Sequence, residues 1–288
     1  ITAFADRLLD DLEGLEWTDA IKTMQRNWIG KSNGAEIEFS AGEEKISVFT
    51  TRPDTLFGAT YMVLAPEHPL LQKLVTDEWP KSTPENWKQG FTNPREALIA
   101  YKVTTAQKTD LDRQENKDKT GIFLGEYATV PVNGKLIPIF VSDYVLMGYG
   151  TGAIMAVPGQ DERDWEFAEL FELEIIRTVN PPESWEGKAY TGDGPAINSS
   201  FLNGLEIDNA KSKMIDWLVQ NGCGSEKITY KLRDWLFSRQ RYWGEPFPIV
   251  YDGNGLPQAV KETQLPVELP DLIDWAPRSL DENSDPEP

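Results

Sequence analysis

The chain has 288 residues, 40% of them hydrophobic and ten of them Trp, enough to bury a sizeable core as one large domain or one domain with appendages. Its 28 Lys and Arg against 47 Asp and Glu give 28 − 47 = −19, a charge that opposes tight autonomous binding to a polyanion, so a nucleic-acid partner would have to be held mostly by other parts of a larger protein. Cys223 is the single cysteine, which excludes an internal disulfide and fits a reducing, cytoplasmic setting, and no apolar run is long enough to span a bilayer.

The chain opens at Ile1, without Met or a signal peptide, and so reads as part of a longer protein. Phe4, Leu8, Leu12 and Leu15 recur at helical spacing, which predicts a helix over Thr2–Gln25. Lys31–Gly34 reads as a turn. Ala35–Phe39 and Lys45–Thr50 alternate apolar with polar and form a hairpin pattern, with its turn near Ala41-Gly42. Thr60–Leu64 has the pattern of a buried strand, and Pro69–Val75 that of a short helix. Pro80, Pro84, Gly90 and Pro94 make Trp79–Glu96 a loop or a pair of broken helices.

Asp110–Thr120 is almost wholly charged or polar and reads as a solvated excursion. Tyr127–Val132, Leu136–Val141 and Ala153–Val157 read as strands, with Asn133-Gly134 as a hairpin turn. Asp161–Phe171 is an amphipathic helix, Pro181–Asn198 a Gly- and Pro-rich loop, and Asn209–Gln220 a helix stopped by Asn221-Gly222. Lys227–Arg241 is the one clearly basic stretch, its cations set among aromatics. The tail from Leu265 is acidic and Pro-rich, and Asp281–Pro288 has the composition of a segment without order.

Several chemistries drop out. A Ser-His-Asp or Cys-His triad needs an imidazole base, and the only histidine, His68, lies between Glu67 and Pro69 in what reads as a surface turn. One Cys and one His far apart do not make a zinc site, and no metal site is expected. There is no P-loop. Gly148, Gly150 and Gly152 imitate part of a dinucleotide fingerprint, but here the bend precedes a strand instead of following one.

Two stretches remain. Thr50-Thr51-Arg52-Pro53-Asp54-Thr55 offers three hydroxyls and a carboxylate on one turn, although threonine suits strands and turns for structural reasons alone. Asp161 and Asp164 follow Pro158-Gly159 and open a helix. Asp161 can be the N-cap with Asp164 in the first turn, or one carboxylate can face a pocket and bind an ammonium. The two readings are compatible, since a helix N-terminus favours the ionised carboxylate.

Taken together, these stretches resemble the leucyl-tRNA synthetase family. The resemblance runs through Lys22–Gly30, Thr50–Thr55, Gly150–Gly159, Arg233-Asp234-Trp235 and Ser238–Gly244, and covers nearly the whole chain to about Leu269. It implies that family's inserted editing domain with flanking pieces: a mixed α/β fold, with a β-barrel-like editing domain and peripheral helices. The implied division is 1–31, a helical flank and tether; 32–226, the editing domain; and 227–288, a return tether, catalytic-domain fragment and acidic tail. The HIGH and KMSKS signatures of the synthetic site are missing, so ATP and Mg belong to the parent enzyme and no cofactor is expected for hydrolysis.

The implied activity is clearance of wrongly charged tRNA(Leu), with the tRNA(Leu) 3′ end and the remaining synthetase domains as partners and no membrane. The family pattern puts Thr51 and Thr55 in the amino-acid pocket, with Thr55 barring leucine. It puts Asp164 on the substrate ammonium with Asp161 beside it, and Met155 and Val157 on the pocket lining. Leu146 and Tyr149 would hold the terminal adenosine. Thr50, Thr51 and Arg52 are candidate water and oxyanion contacts. Gln160 stands where many relatives carry His, so any role there that needs a titrating imidazole is not available. The rival readings are a tRNA-docking module with a vestigial pocket and a partner-binding scaffold.

Overall fold

The computed structural model describes residues 1–109, 112–113, 119–147, 150–234, 247–253 and 255–268. The chain divides into two units, Ala3–Leu232 and Ile1–Thr2 with Arg233–Pro288. In chain order the larger unit contains α1 (Ala5–Asp11), α2 (Asp19–Ile29), β1 (Lys31–Ala41), β2 (Glu44–Thr50), a 3₁₀ turn (Pro53–Gly58) and β3 (Tyr61–Leu64). It continues with α3 (Leu71–Leu74), α4 (Glu85–Lys88), α5 (Pro94–Thr105), β4 (Ile122–Thr129), β5 (Leu136–Val141) and β6 (Ala153–Ala156). It closes with α6 (Glu162–Leu170), α7 (Ile207–Gln220) and β7 (Gly224–Tyr230). In the smaller unit β8 (Ile249–Tyr251) and β9 (Pro257–Ala259) pair antiparallel.

The single helix expected over Thr2–Gln25 is broken in two. A 3₁₀ turn ending at Gly14 stops the first half, and Thr18, in extended conformation, starts the second. α2 then ends at Gly30, whose left-handed backbone (φ 59°) lets its N–H reach Arg26 O at 2.8 Å. The β1–β2 hairpin turns at Gly42 as expected, with Ala41 opposite Glu44. Lys31–Gly34 is not a turn but the first part of β1. It pairs antiparallel with β7, from Lys31 opposite Tyr230 to Ile37 opposite Gly224. β7 buries no side chain, so its sequence has no alternation to announce it.

β4 begins earlier than its pattern implies because a bulge between Phe123 and Tyr127, at left-handed Gly125, interrupts the alternation. The strand ends at Thr129, two residues before Pro131, which has no N–H to donate. The Asn133-Gly134 turn is therefore wider than a two-residue hairpin: Val130 O accepts the N–H of Gly134 at 2.9 Å and Val130 N–H donates to Lys135 O at 2.9 Å.

The fold is mixed α/β. The strand order is β2-β1-β4-β5-β3-β6, with β7 also on β1, and only β3 and β5 run parallel. The two ends, β2 and β6, lie close together without sharing a ladder. Among the described residues the sheet curls but does not close by hydrogen bonds, which departs from a closed barrel. β3 is buried on both faces. Met62 and Leu64 join Ile37, Val48, Leu56, Ile139, Met155 and Val157 in one core. Tyr61 and Val63 join Phe123, Phe140, Phe167 and Phe171 in a second, aromatic core. Phe167 and Phe171 belong to α6 and its C-terminal residue. Tyr61 stacks on Phe167 at 5.1 Å between centroids and Phe167 on Phe171 at 4.3 Å, so ring packing fixes α6 on the back of β3.

Candidate active site

The Thr-rich turn follows directly from β2. Gly34 lies so close to it that a Cβ there would sit 2.1 Å from Thr50 O, which only glycine permits. Thr50 Oγ1 accepts the Arg52 N–H at 3.0 Å, and Thr55 Oγ1 donates to Arg52 O at 2.8 Å. Two of the three hydroxyls therefore hold the turn. Thr51 is half-buried, and among the described residues nothing is bonded to its hydroxyl. Arg52 forks onto buried Asp54, with Nε to Oδ1 at 3.0 Å and Nη2 to Oδ2 at 2.7 Å. Asp54 is thus the partner that aims Arg52, a role its place in a Pro-Asp turn pair concealed; the spacing of two residues was the available signal. Thr55 is 2% exposed.

The second half of the site is the N-terminus of α6. Asp161 is its N-cap: Oδ1 accepts the N–H of Arg163 at 2.8 Å and of Asp164 at 3.1 Å. Asp164 is buried. Its Oδ2 accepts the Val157 N–H at 2.8 Å, its Oδ1 accepts the Tyr144 hydroxyl at 3.3 Å, and its carbonyl accepts the Tyr61 hydroxyl at 2.9 Å. Tyr144 and Tyr61 carry no motif and escape a sequence reading. The helix terminus alone was expected to keep Asp164 ionised. Instead, burial above all, and then the charge of Asp161, push its carboxyl up to about 7, against the opposing pull of the Val157 N–H, Arg163 and Tyr144. Burial likewise pushes both tyrosines up.

Val157 and Met155, the expected lining, are buried in the core beneath the Thr turn. A Cβ on Gly58, at the end of that turn, would lie 3.1 Å from Val157 Cγ1, so the turn and the end of β6 are in contact. Gln160 follows, and its Oε1 accepts the Thr178 hydroxyl at 2.8 Å, a tie that needs no imidazole. Leu146 is half-buried just before the glycine bend. Tyr149 lies outside the described residues, as does the basic Ser238–Gly244 stretch. Gly150 and Gly152 are left-handed, at φ 66° and 75°. A Cβ on Gly152 would meet Met147 Sδ at 2.2 Å and His68 Cδ2 at 3.3 Å.

His68, expected at the surface, is 8% exposed. Its Nδ1 accepts the Leu70 N–H at 3.2 Å and burial lowers its pKa, so the ring is neutral and protonated on Nε2. The charged excursion also departs from expectation: Arg113 is buried. Two clefts elsewhere, of about 680 and 290 Å³, are lined by residues of 77–93 and of 89–122 and include none of the expected site residues. Among the described residues no group of three or more His, Cys, Asp or Glu could hold a metal ion, and no helix is long and apolar enough to cross a membrane.

A curled sheet carrying a Thr turn and a carboxylate-rich helix start is matched over residues 26–219 by the family model for the leucyl-tRNA synthetase editing domain. The chain belongs to that family. It is 62% identical to the leucine–tRNA ligase of Salinispora tropica over 98% of the chain and 31% of that protein. It is 57% identical to that of Saccharopolyspora erythraea over all of the chain and again 31% of the relative. Among solved structures it resembles the ternary complex of an Agrobacterium radiobacter LeuRS with tRNA and LeuAMS, with a TM-score of 0.62 and 34% identity, over 96% of this chain and 30% of that one. The chain thus spans about 31% of the length of the curated relatives it matches.

Proposed function

We propose that this chain is the proofreading part of a leucine–tRNA ligase and hydrolyses the ester of wrongly charged tRNA(Leu), such as the isoleucyl or norvalyl ester. The observation that carries this reading is the family match over residues 26–219. The site's chemistry supports it. An aminoacyl ester is already reactive, so the task is to hold it, place a water and stabilise the oxyanion. Asp164 is the receptor for the substrate ammonium, with Asp161 adding negative charge beside it. A buried carboxylate that costs energy to ionise gains most from a cation brought into the same low-dielectric site.

Thr51 supplies the free hydroxyl, with Thr50 shaping the turn, and the Arg52 N–H groups not committed to Asp54 face the developing oxyanion. A terminal ribose hydroxyl of the tRNA assists as base. Met155 and Val157 give the pocket its apolar wall, and Leu146 and Tyr149 hold the terminal adenosine. The Thr55 hydroxyl is committed to Arg52 O, so the side chain's bulk, and not its polarity, bars leucine. A synthetic site separates amino acids that differ by one methylene by only ~1–3 kcal/mol, which is why a second sieve is needed.

In the parent enzyme, which ligates leucine to tRNA(Leu), ATP and Mg serve the synthetic site, and the setting is cytoplasmic. The proposed division is a flank and tether at 1–31, a barrel-like editing domain at 32–226 and a return tether from 227. The β1–β7 ribbon supports it, because it joins the two tethers side by side. So does the exposed face of α2, where Ile21, Met24 and Trp28 stand in solvent and suit cover by the rest of the synthetase. Deacylation of isoleucyl-tRNA(Leu) and thermal melting of Asp164→Ala test the site. Loss of hydrolysis in a folded protein supports the ammonium role; an active but less stable protein overturns it.

A further inference from the structure

We propose that Arg113 is a positioning residue for the segment 142–147, and through it for the end of the site that receives the terminal nucleotide. The proposal rests on the functional reading above. Arg113 comes from a stretch whose composition places it in solvent, yet it is 6% exposed. A buried guanidinium is tolerated only when its donors are satisfied. Here Nε donates to Asp143 O at 2.7 Å, Nη2 to Val145 O at 2.7 Å and Nη1 to Glu67 Oε1 at 2.9 Å.

Two of these partners are carbonyls of one segment, and the third is the residue before His68. A planar fork that grips two carbonyls two residues apart fixes the relative position of their peptide planes, which a lysine ammonium cannot do. A second cation of the same stretch acts on the same segment: Lys108 Nζ lies 2.6 Å from Asp143 Oδ2. The Asp143 N–H donates to the Tyr101 hydroxyl at 3.0 Å. The segment then delivers Leu146 and Met147. Met147 Sδ and the His68 ring both rest where a side chain on Gly152 would be. Arg113 therefore ties together the two sides, Glu67-His68 and Val145–Met147, that pack on the glycine bend. It acts through them and does not reach the reacting ester itself.

The test uses the full-length synthetase carrying Arg113→Gln or Arg113→Lys, with two readouts. The first is amide hydrogen exchange of the 142–147 peptide, with α6 as internal control. The second is steady-state deacylation of isoleucyl-tRNA(Leu). In both variants exchange at 142–147 should accelerate while α6 is unchanged. KM should rise ~10- to 100-fold, the upper end being what a misplacement of about 1 Å costs, with kcat held. Unchanged exchange, rescue by Lys, or a fall in kcat at constant KM would overturn the assignment. If both Arg113 variants fail to fold, Glu67→Gln removes one arm of the fork, and constant exchange and KM in that variant overturn it equally. A wild-type enzyme that does not hydrolyse the ester overturns the functional reading instead, and the exchange result still decides what Arg113 holds.

Discussion

Replacing Asp164 by Asn removes a charge and keeps an oxygen that can accept the Val157 N–H. The carboxyl is raised from 3.8 to about 7, chiefly by burial. Below pH 4 both the folded and unfolded states hold the proton, and the shift has no effect. Between pH 4 and 7 the folded state keeps the proton while the unfolded chain releases it. The unfolded state then binds fewer protons, so wild-type stability falls as pH rises. Above pH 7 both states are ionised and the loss stays in place. About three pKa units at 1.36 kcal/mol each give roughly 4 kcal/mol.

Urea unfolding of wild type and Asp164→Asn from pH 4 to 8 should therefore diverge. The variant should gain relative stability by up to roughly 4 kcal/mol across that window, because contributions from other groups cancel in the difference. In the same window wild-type deacylation should rise with pH as Asp164 ionises, and the variant should be inactive. Parallel stability curves would refute the reasoning about burial. An active variant would refute the ammonium role.

Thr55→Ala in the full-length enzyme should hydrolyse correctly charged leucyl-tRNA while keeping activity on the isoleucyl ester; if leucyl-tRNA is still spared, Thr55 only ties down the turn. The isolated chain, with net charge −19, should bind tRNA no tighter than roughly 10⁻⁴–10⁻⁶ M at physiological salt, and nanomolar binding in a filter assay would contradict this. Gly152→Ala should lower the melting temperature, because a left-handed L-residue costs ~1–2 kcal/mol and its Cβ would press on Met147. An unchanged melt would show that the bend relaxes freely.

Much of the architecture was legible because local patterns coincide with long-range burial. The β1–β2 hairpin, β5, β6 and α6 carry their period and their caps in the sequence, and the Thr turn and Asp161 pair stand out by residue type. What stayed hidden depends on partners distant in the chain. β7 is polar throughout and becomes a strand only because β1 offers an open edge. Arg113 is buried because carbonyls some thirty residues on receive it. His68 is buried because Met147 and Gly152 close over it. The ionisation of Asp164 is a property of the aromatic core that seats α6, and no spacing in the sequence encodes how deep that seat is.

The central claim is hydrolysis with discrimination. Its most direct measurement is single-turnover deacylation of norvalyl-, isoleucyl- and leucyl-tRNA(Leu), side by side, by the wild-type synthetase that carries this chain. The account requires the norvalyl and isoleucyl esters to be cleared while the leucyl ester persists at its spontaneous rate. Equal decay of all three, or no enzyme-dependent decay of any, would contradict it.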